Sequence, residues 1–245
     1  MPNHVMNRLR LSGEQSRINE LLQSVKGEDT VLDFNKIIPM PESLNIEAGS
    51  RTDTGLKAYK DFIAVYTFDN AKNKPDLLNI PKKSEQAFLR VRKDIKPDEW
   101  ELGKTAFQNK LRYGAPTWYE WSIENWGTKW PAYNTGIAED NTIVFNTAWD
   151  RAMPVITKLA EMFPDISFKY CWADEDLGVN VGMAEFENGE VASDECYDAL
   201  SREAYELAAD VWDYDLEEMG YVFDEKTQTY EYHDPDEQSE SPAMI

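Results

Sequence analysis

The chain has 245 residues with 42% hydrophobic and 29% charged side chains and a formal net charge of −21, a composition that suits one globular domain with an extension and excludes wholesale disorder. Residues 171–245 carry 23 acids and two bases, Arg202 and Lys226, whereas residues 1–170 are balanced. A surface of that sign repels nucleic acid and anionic lipid, so direct binding to either is disfavoured.

No apolar run approaches the roughly 20 residues that span a bilayer, and MPNHVMNRLR lacks the pattern of a secretory signal. A cytosolic protein is the expectation. Cys171 and Cys196 have no CxxC spacing and only His4 and His233 could join them, so reduced thiols are expected, with no structural zinc and no cofactor.

In chain order, HVMNRLRLSG alternates apolar and polar residues and predicts a strand ending at Ser12-Gly13. Ile18, Leu21, Leu22 and Val25 recur at helical spacing and predict an amphipathic helix that Gly27 stops. TVLDFNKII reads as a β-rich run that Pro39 and Pro41 end, and residues 42–58 read as loop. Between about 75 and 124 the pattern turns lysine-rich and helical, with Pro97 opening one segment, which predicts a helical insertion. NTIVFNTAWD, MPVITKLAEMFPD and ISFKYCWADED then predict a strand, a helix and a strand. Around the insertion this order is βαββαβ, an α+β ferredoxin-like sandwich. Asn188-Gly189 predicts a hairpin that extends the sheet. Ser193, followed by Asp194 and Glu195, is read as the cap of a helix running to about Gly220. A hairpin around Lys226 to Gln228 and a disordered tail, 234–245, follow. The expected organisation is a domain over 1–192 and an acidic helix and hairpin over 193–233 packed on it.

NWGTKW at 125–130 sets Asn125, Trp126, Gly127, Thr128, Lys129 and Trp130 in a polar run. Large aromatics mainly pack, so the two tryptophans are read as structural, with Gly127 permitting a turn and Lys129 at the rim, able to stack on an indole or reach an anion. Together with MPN, FNKIIPMP, FNTAW, PVITKLAEMFP and ENGE, this stretch resembles the YubB-like ferredoxin-like proteins of phages and conjugative plasmids over roughly residues 1–192. The resemblance implies a mobile-element origin, hence a host bacterial cytoplasm, and a ferredoxin-like fold, but no reaction. Family members often carry aromatic or cysteine residues after the opening Met-Pro-Asn, where this chain has His4 and Val5.

No phosphate loop, dinucleotide fingerprint, nucleophile elbow or zinc-protease motif occurs, so no catalytic residue or metal ligand is assigned. Two function classes follow. In the first, Glu195, Asp198, Glu206, Asp210, Asp213 and Glu217 form a row on the last helix. Carboxylates three or four apart lie about 5–6 Å from one another and approximate a row of phosphates. Such a face would occupy a basic, nucleic-acid-binding surface of a host protein, such as one in a nucleic-acid-guided defence complex, as a DNA mimic and inhibitor. The alternative is a metal-dependent nuclease or nucleotide-processing enzyme using Asp174, Glu175 and Asp176, with a basic groove from Lys82, Lys83, Arg90, Arg92, Lys93 and Lys96. Acidity serving solubility alone is a third reading.

Overall fold

A computed structural model of the chain describes residues 3–138 and 140–234. In chain order its elements are β1 (His4–Ser12), α1 (Gln15–Val25), α2 (Ser50–Asp69), α3 (Lys82–Val91), α4 (Pro97–Tyr113) and α5 (Trp118–Trp126). There follow β2 (Tyr133–Ile137), β3 (Thr142–Ala148), α6 (Met153–Met162), β4 (Ser167–Asp174), β5 (Gly182–Glu187), β6 (Glu190–Cys196), α7 (Arg202–Trp212), β7 (Tyr221–Asp224) and β8 (Thr229–Tyr232). The chain divides into two compact units, 1–39 with 125–245, and 40–124.

In the first unit, the alternation of β1 buries Val5, Asn7, Leu9 and Leu11 on one face of the sheet. The strand order is β2-β3-β1-β4-β5-β6, and every pairing is antiparallel. The first four strands with α1 and α6 reproduce the expected ferredoxin-like βαββαβ order, and the hairpin β5–β6 extends the sheet beyond β4. Asn188 and Gly189 both take positive φ, 54° and 81°, as a two-residue hairpin turn requires. On the face bearing α1 and α6, Ile18, Leu21, Val155, Ile156 and Leu159 pack with Phe145, Phe168 and Tyr170 in the core. Arg17 of α1 spans the two helix ends, its guanidinium 5.5 Å from the Phe163 ring centre and 2.6 Å from Asp165.

The opposite face of the sheet is packed by α7. Ala204, Ala208 and Val211 are buried against Cys171, Ala173 and Val181, with Met6, Met183 and Trp212 beside them. The Trp212 indole N–H donates to the carbonyls of Ala173 and Asp174 at 3.2 and 3.0 Å. The C-terminal elements therefore lie in the same compact unit as the sandwich, and a boundary at 192 would cut β6. The hairpin β7–β8 forms a separate two-stranded sheet.

The helix expected from Ser193 starts later. Pairing of β6 with β5 persists to the register Gly182↔Cys196, so Ser193, Asp194, Glu195 and Cys196 are extended. The cap is Ser201, whose hydroxyl accepts from the Ala204 N–H at 3.1 Å. The β-rich run before Pro39 is also corrected. Phe34–Lys36 is a short 3-10 turn, because the Asp33 carboxylate accepts from the Asn35 N–H at 2.9 Å and closes a local turn, while Leu32, Phe34 and Ile37 are buried. The tail expected over 234–245 lies, from residue 235 onward, outside the described residues.

The second unit begins at Met40 rather than near 75, and the loop expected over 42–58 contains a 3-10 turn, Glu42–Leu44, and the first turns of α2. Two glycines set its central helix pair. A Cβ on Gly103 would lie 1.9 Å from the Gly55 carbonyl carbon, and one on Gly55 would lie 1.8 Å from the Glu99 carbonyl oxygen. Only hydrogen at both positions lets the backbones of α2 and α4 approach so closely. Tyr59, Phe62 and Trp100 form the buried aromatic centre, with Phe88 and Phe107 in ring contact around it. Lys104 is paired with the buried carboxylate of Glu85 at 2.7 Å.

Candidate functional site

The six carboxylates expected on one helix occupy five kinds of local structure. Glu195 is on the edge strand β6 and Asp198 in the loop that follows, Glu206 and Asp210 are on α7, Asp213 is its left-handed cap at φ 59°, and Glu217 lies in the turn before β7. All six are exposed, but they do not form a row, since α7 ends at Trp212 and only Glu206 and Asp210 share its i, i+4 spacing. What persists is the local charge balance. The described residues 171–234 hold 20 acids against Arg202 and Lys226, and Arg202 is held by Glu206 at 2.7 Å. Asp194 is neutralised by Arg151 of the β3–α6 connection at 2.5 Å, and the Arg151 guanidinium lies 4.1 Å from the Trp172 ring centre. Nothing in the sequence pattern pointed to that cross-sheet pair.

NWGTKW joins the end of α5 to the end of β3. Trp126 is 1% exposed, meets the Phe34 ring edge-to-face at 5.9 Å and donates its indole N–H to the Ile38 carbonyl at 3.0 Å. Gly127 has φ 79°, and a Cβ there would lie 2.8 Å from Pro154 Cδ and 2.9 Å from the Arg151 carbonyl oxygen. The buried Thr128 hydroxyl donates to the Ala148 carbonyl at 2.8 Å and accepts from the Ala148 N–H at 3.0 Å, a two-way clasp on the end of β3. Lys129 Nζ stands 4.9 Å from the ring centre of Trp130 and 4.5 Å from that of Trp149. Trp149 is the partner that sequence spacing did not identify. It has a left-handed backbone at φ 74° and donates its N–H to the Asn3 carbonyl at 3.0 Å. Asn125, half-buried, is the penultimate residue of α5. The stretch is a packing clasp with a cation between two indoles.

Asp174, Glu175 and Asp176 do not converge on one point. Asp174 is 4% exposed and accepts from the Asn3 amide at 3.1 Å and the Asp176 N–H at 2.9 Å. Asp176 accepts from the same amide at 2.9 Å, and Glu175 accepts from the His4 N–H at 3.0 Å. These contacts fasten the start of β1 to the end of β4. Burial is the main cause that raises the Asp174 carboxyl above its ordinary value, against the hydrogen bonds that lower it. The His4 imidazole is hydrogen-bonded to the Tyr133 hydroxyl. Among the described residues, no group of three or more His, Cys, Asp or Glu side chains is placed to hold a metal ion. In the second unit, Arg92 is held by Asp94 at 2.9 Å and Lys96 by Glu99 at 2.9 Å, so two of the bases expected to line a groove are paired with acids.

Residues 125–232 match the family model described as the ferredoxin-like domain in Api92-like protein. That segment is similar to the ferredoxin-like domain of Api92-like proteins. The crystal structure of a protein api92 from Yersinia pseudotuberculosis is also similar, at 13% identity and a TM-score of 0.41, the match covering 81% of this chain and 99% of that one. No curated protein matches the chain. Among the described residues, no helix is long and apolar enough to cross a membrane.

Proposed function

We propose that the chain is a phage- or plasmid-encoded interaction protein of the bacterial cytoplasm that presents its acidic C-terminal surface to a basic, nucleic-acid-binding surface of a host protein and so excludes nucleic acid. What supports this reading is the charge balance of residues 171–234, 20 acids against two bases. The acids that carry it are spread over the edge of β6, the α7 helix and the loops beside them. Charged side chains on an exposed sheet edge oppose strand addition, which favours a partner recruited by its field. A basic groove feels that field at long range, so association is fast and falls steeply with salt.

The nuclease reading has weaker support, because Asp174, Glu175 and Asp176 already accept hydrogen bonds that tie β1 to β4. The test is a capture from bacterial lysate at low and high salt, followed by competition on the captured protein with a labelled nucleic acid. Displacement of the nucleic acid is expected to weaken with salt and to disappear in a combined Glu195→Gln, Asp198→Asn, Glu203→Gln and Glu217→Gln variant. Single neutralisations should change little, since isolated exposed charges contribute about 0–1 kcal/mol each. Unchanged competition by the combined variant, or Mg²⁺-dependent cleavage lost in Asp174→Asn, would overturn the proposal.

A further inference from the structure

The sheet face that α7 packs against is covered only in part. Beside the helix, β1, β3, β4 and the turn before β3 leave a cleft of about 350 Å³, walled on one side by Leu207 and Asp210. Into this cleft the sheet presents Arg8, Arg10 and Lys169. Register makes them neighbours: Arg10 is directly opposite Lys169, and Arg8 is two residues back on the same face of β1.

The pairing of β1 with β4 sets two like charges, Arg10 and Lys169, against each other. Like charges directly across an antiparallel pair repel, and the chain has acids in large excess with which to neutralise them. Yet among the described residues only Arg10 of the three has a carboxylate in ion-pair reach, Asp140 at 3.5 Å. Arg8 Nε is buried without a hydrogen-bond partner among the described residues. Lys169 is exposed, with Glu185 directly opposite it on β5 but outside ion-pair reach, and among the described residues Asp210, across the cleft, forms no ion pair with Arg8 or Lys169. A dehydrated guanidinium N–H lacking an acceptor is a cost that a bound oxyanion would remove.

We infer that this cleft binds a small organic phosphate monoester, with Arg8 and Lys169 as its principal anion ligands and Arg10 as a third. The inference does not depend on the acidic surface. A guanidinium offers a fork of N–H donors matched to phosphate oxygens, and an ammonium adds a compact charge. Two uncommitted cations suit a monoester, whose charge near neutral pH is roughly −1.5 to −2. The remaining lining includes Ala138, Val144 and Leu207, an apolar wall for the organic part, and the volume falls at the lower end of the roughly 300–1,000 Å³ common for small-molecule sites. Asp210 opposes the anion from the α7 side, which limits affinity and makes a test in the opposite direction available.

Calorimetric titration of the full chain with inorganic phosphate, glycerol 3-phosphate and AMP reads the site directly. At least one ester is expected to bind saturably and more tightly than inorganic phosphate. Lys169→Gln and Arg8→Gln should each weaken binding by about tenfold or more, and Asp210→Asn should tighten it. Lys169 is exposed, so its variant keeps the test valid if Arg8→Gln fails to fold. No saturable binding by any probe, or binding that Lys169→Gln and Asp210→Asn leave unchanged, would overturn the site. Inorganic phosphate bound as tightly as both esters would overturn the assignment to an ester.

Discussion

Replacing Trp126 by alanine separates a packing role for NWGTKW from a recognition role. The side chain is 1% exposed, lies edge-to-face on Phe34 at 5.9 Å and donates to the Ile38 carbonyl at 3.0 Å. Truncating a buried tryptophan costs about 3–5 kcal/mol. For a unit of 150 to 250 residues each kcal/mol lowers Tm by about 2–4 °C, so Trp126→Ala should melt roughly 6–20 °C below the wild type. Trp126→Phe retains most of the ring and removes the indole donor from the buried Ile38 carbonyl, a loss of about 1–3 kcal/mol. Lys129→Ala removes a cation placed over two partly exposed indoles, each contact contributing about 0.5–1 kcal/mol. The expected order of destabilisation is Trp126→Ala, then Trp126→Phe, then Lys129→Ala, read by far-ultraviolet circular dichroism melts. A Trp126→Ala protein that melts with the wild type but no longer captures its partner would refute the packing argument.

Gly103→Ala should loosen the second unit by several kcal/mol, because its Cβ would meet the Gly55 backbone at 1.9 Å, whereas Gly114→Ala, at φ 82° with nothing within 4 Å of the added carbon, should cost only about 1 kcal/mol. Hydrogen exchange in α2 and α4 distinguishes the two. Because burial raises the Asp174 carboxyl in the folded protein, ionising it destabilises the fold: the penalty is absent below the unfolded-state value, grows as pH rises through the folded value and is full above it. Asp174→Asn should therefore stabilise near neutral pH, with the gain over wild type vanishing in acid, and a gain that grew on acidification would contradict the sign. Cys196 is exposed and Cys171 buried, with burial pushing the Cys171 thiol up, so a thiol reagent should modify one cysteine rapidly and the second only slowly until denaturant is added.

What was legible in the sequence is what neighbouring residues decide among themselves. Alternation in β1 sets its buried face, Asn188-Gly189 supplies the two positive φ angles of the β5–β6 turn, and Pro97 and Gly114 bracket α4. Where two local signals compete, distant pairing chooses. Ser193, followed by Asp194 and Glu195, reads as a cap, but β5 holds residues 190–196 in an antiparallel ladder, so the helix begins only after Ser201. That choice removes the single row of carboxylates while leaving the net charge, which depends on composition alone. Helix α2 was hidden because its tightest contact is made by Gly55 against Gly103, and a close approach of two backbones leaves no apolar periodicity to read. The cleft is hidden for a related reason: Arg8 and Arg10 occupy the outward positions of an alternating strand, which ordinarily face water. Only antiparallel pairing with β4 sets Lys169 opposite Arg10, and only the docking of α7, distant in sequence, turns that solvated face into the wall of a cleft.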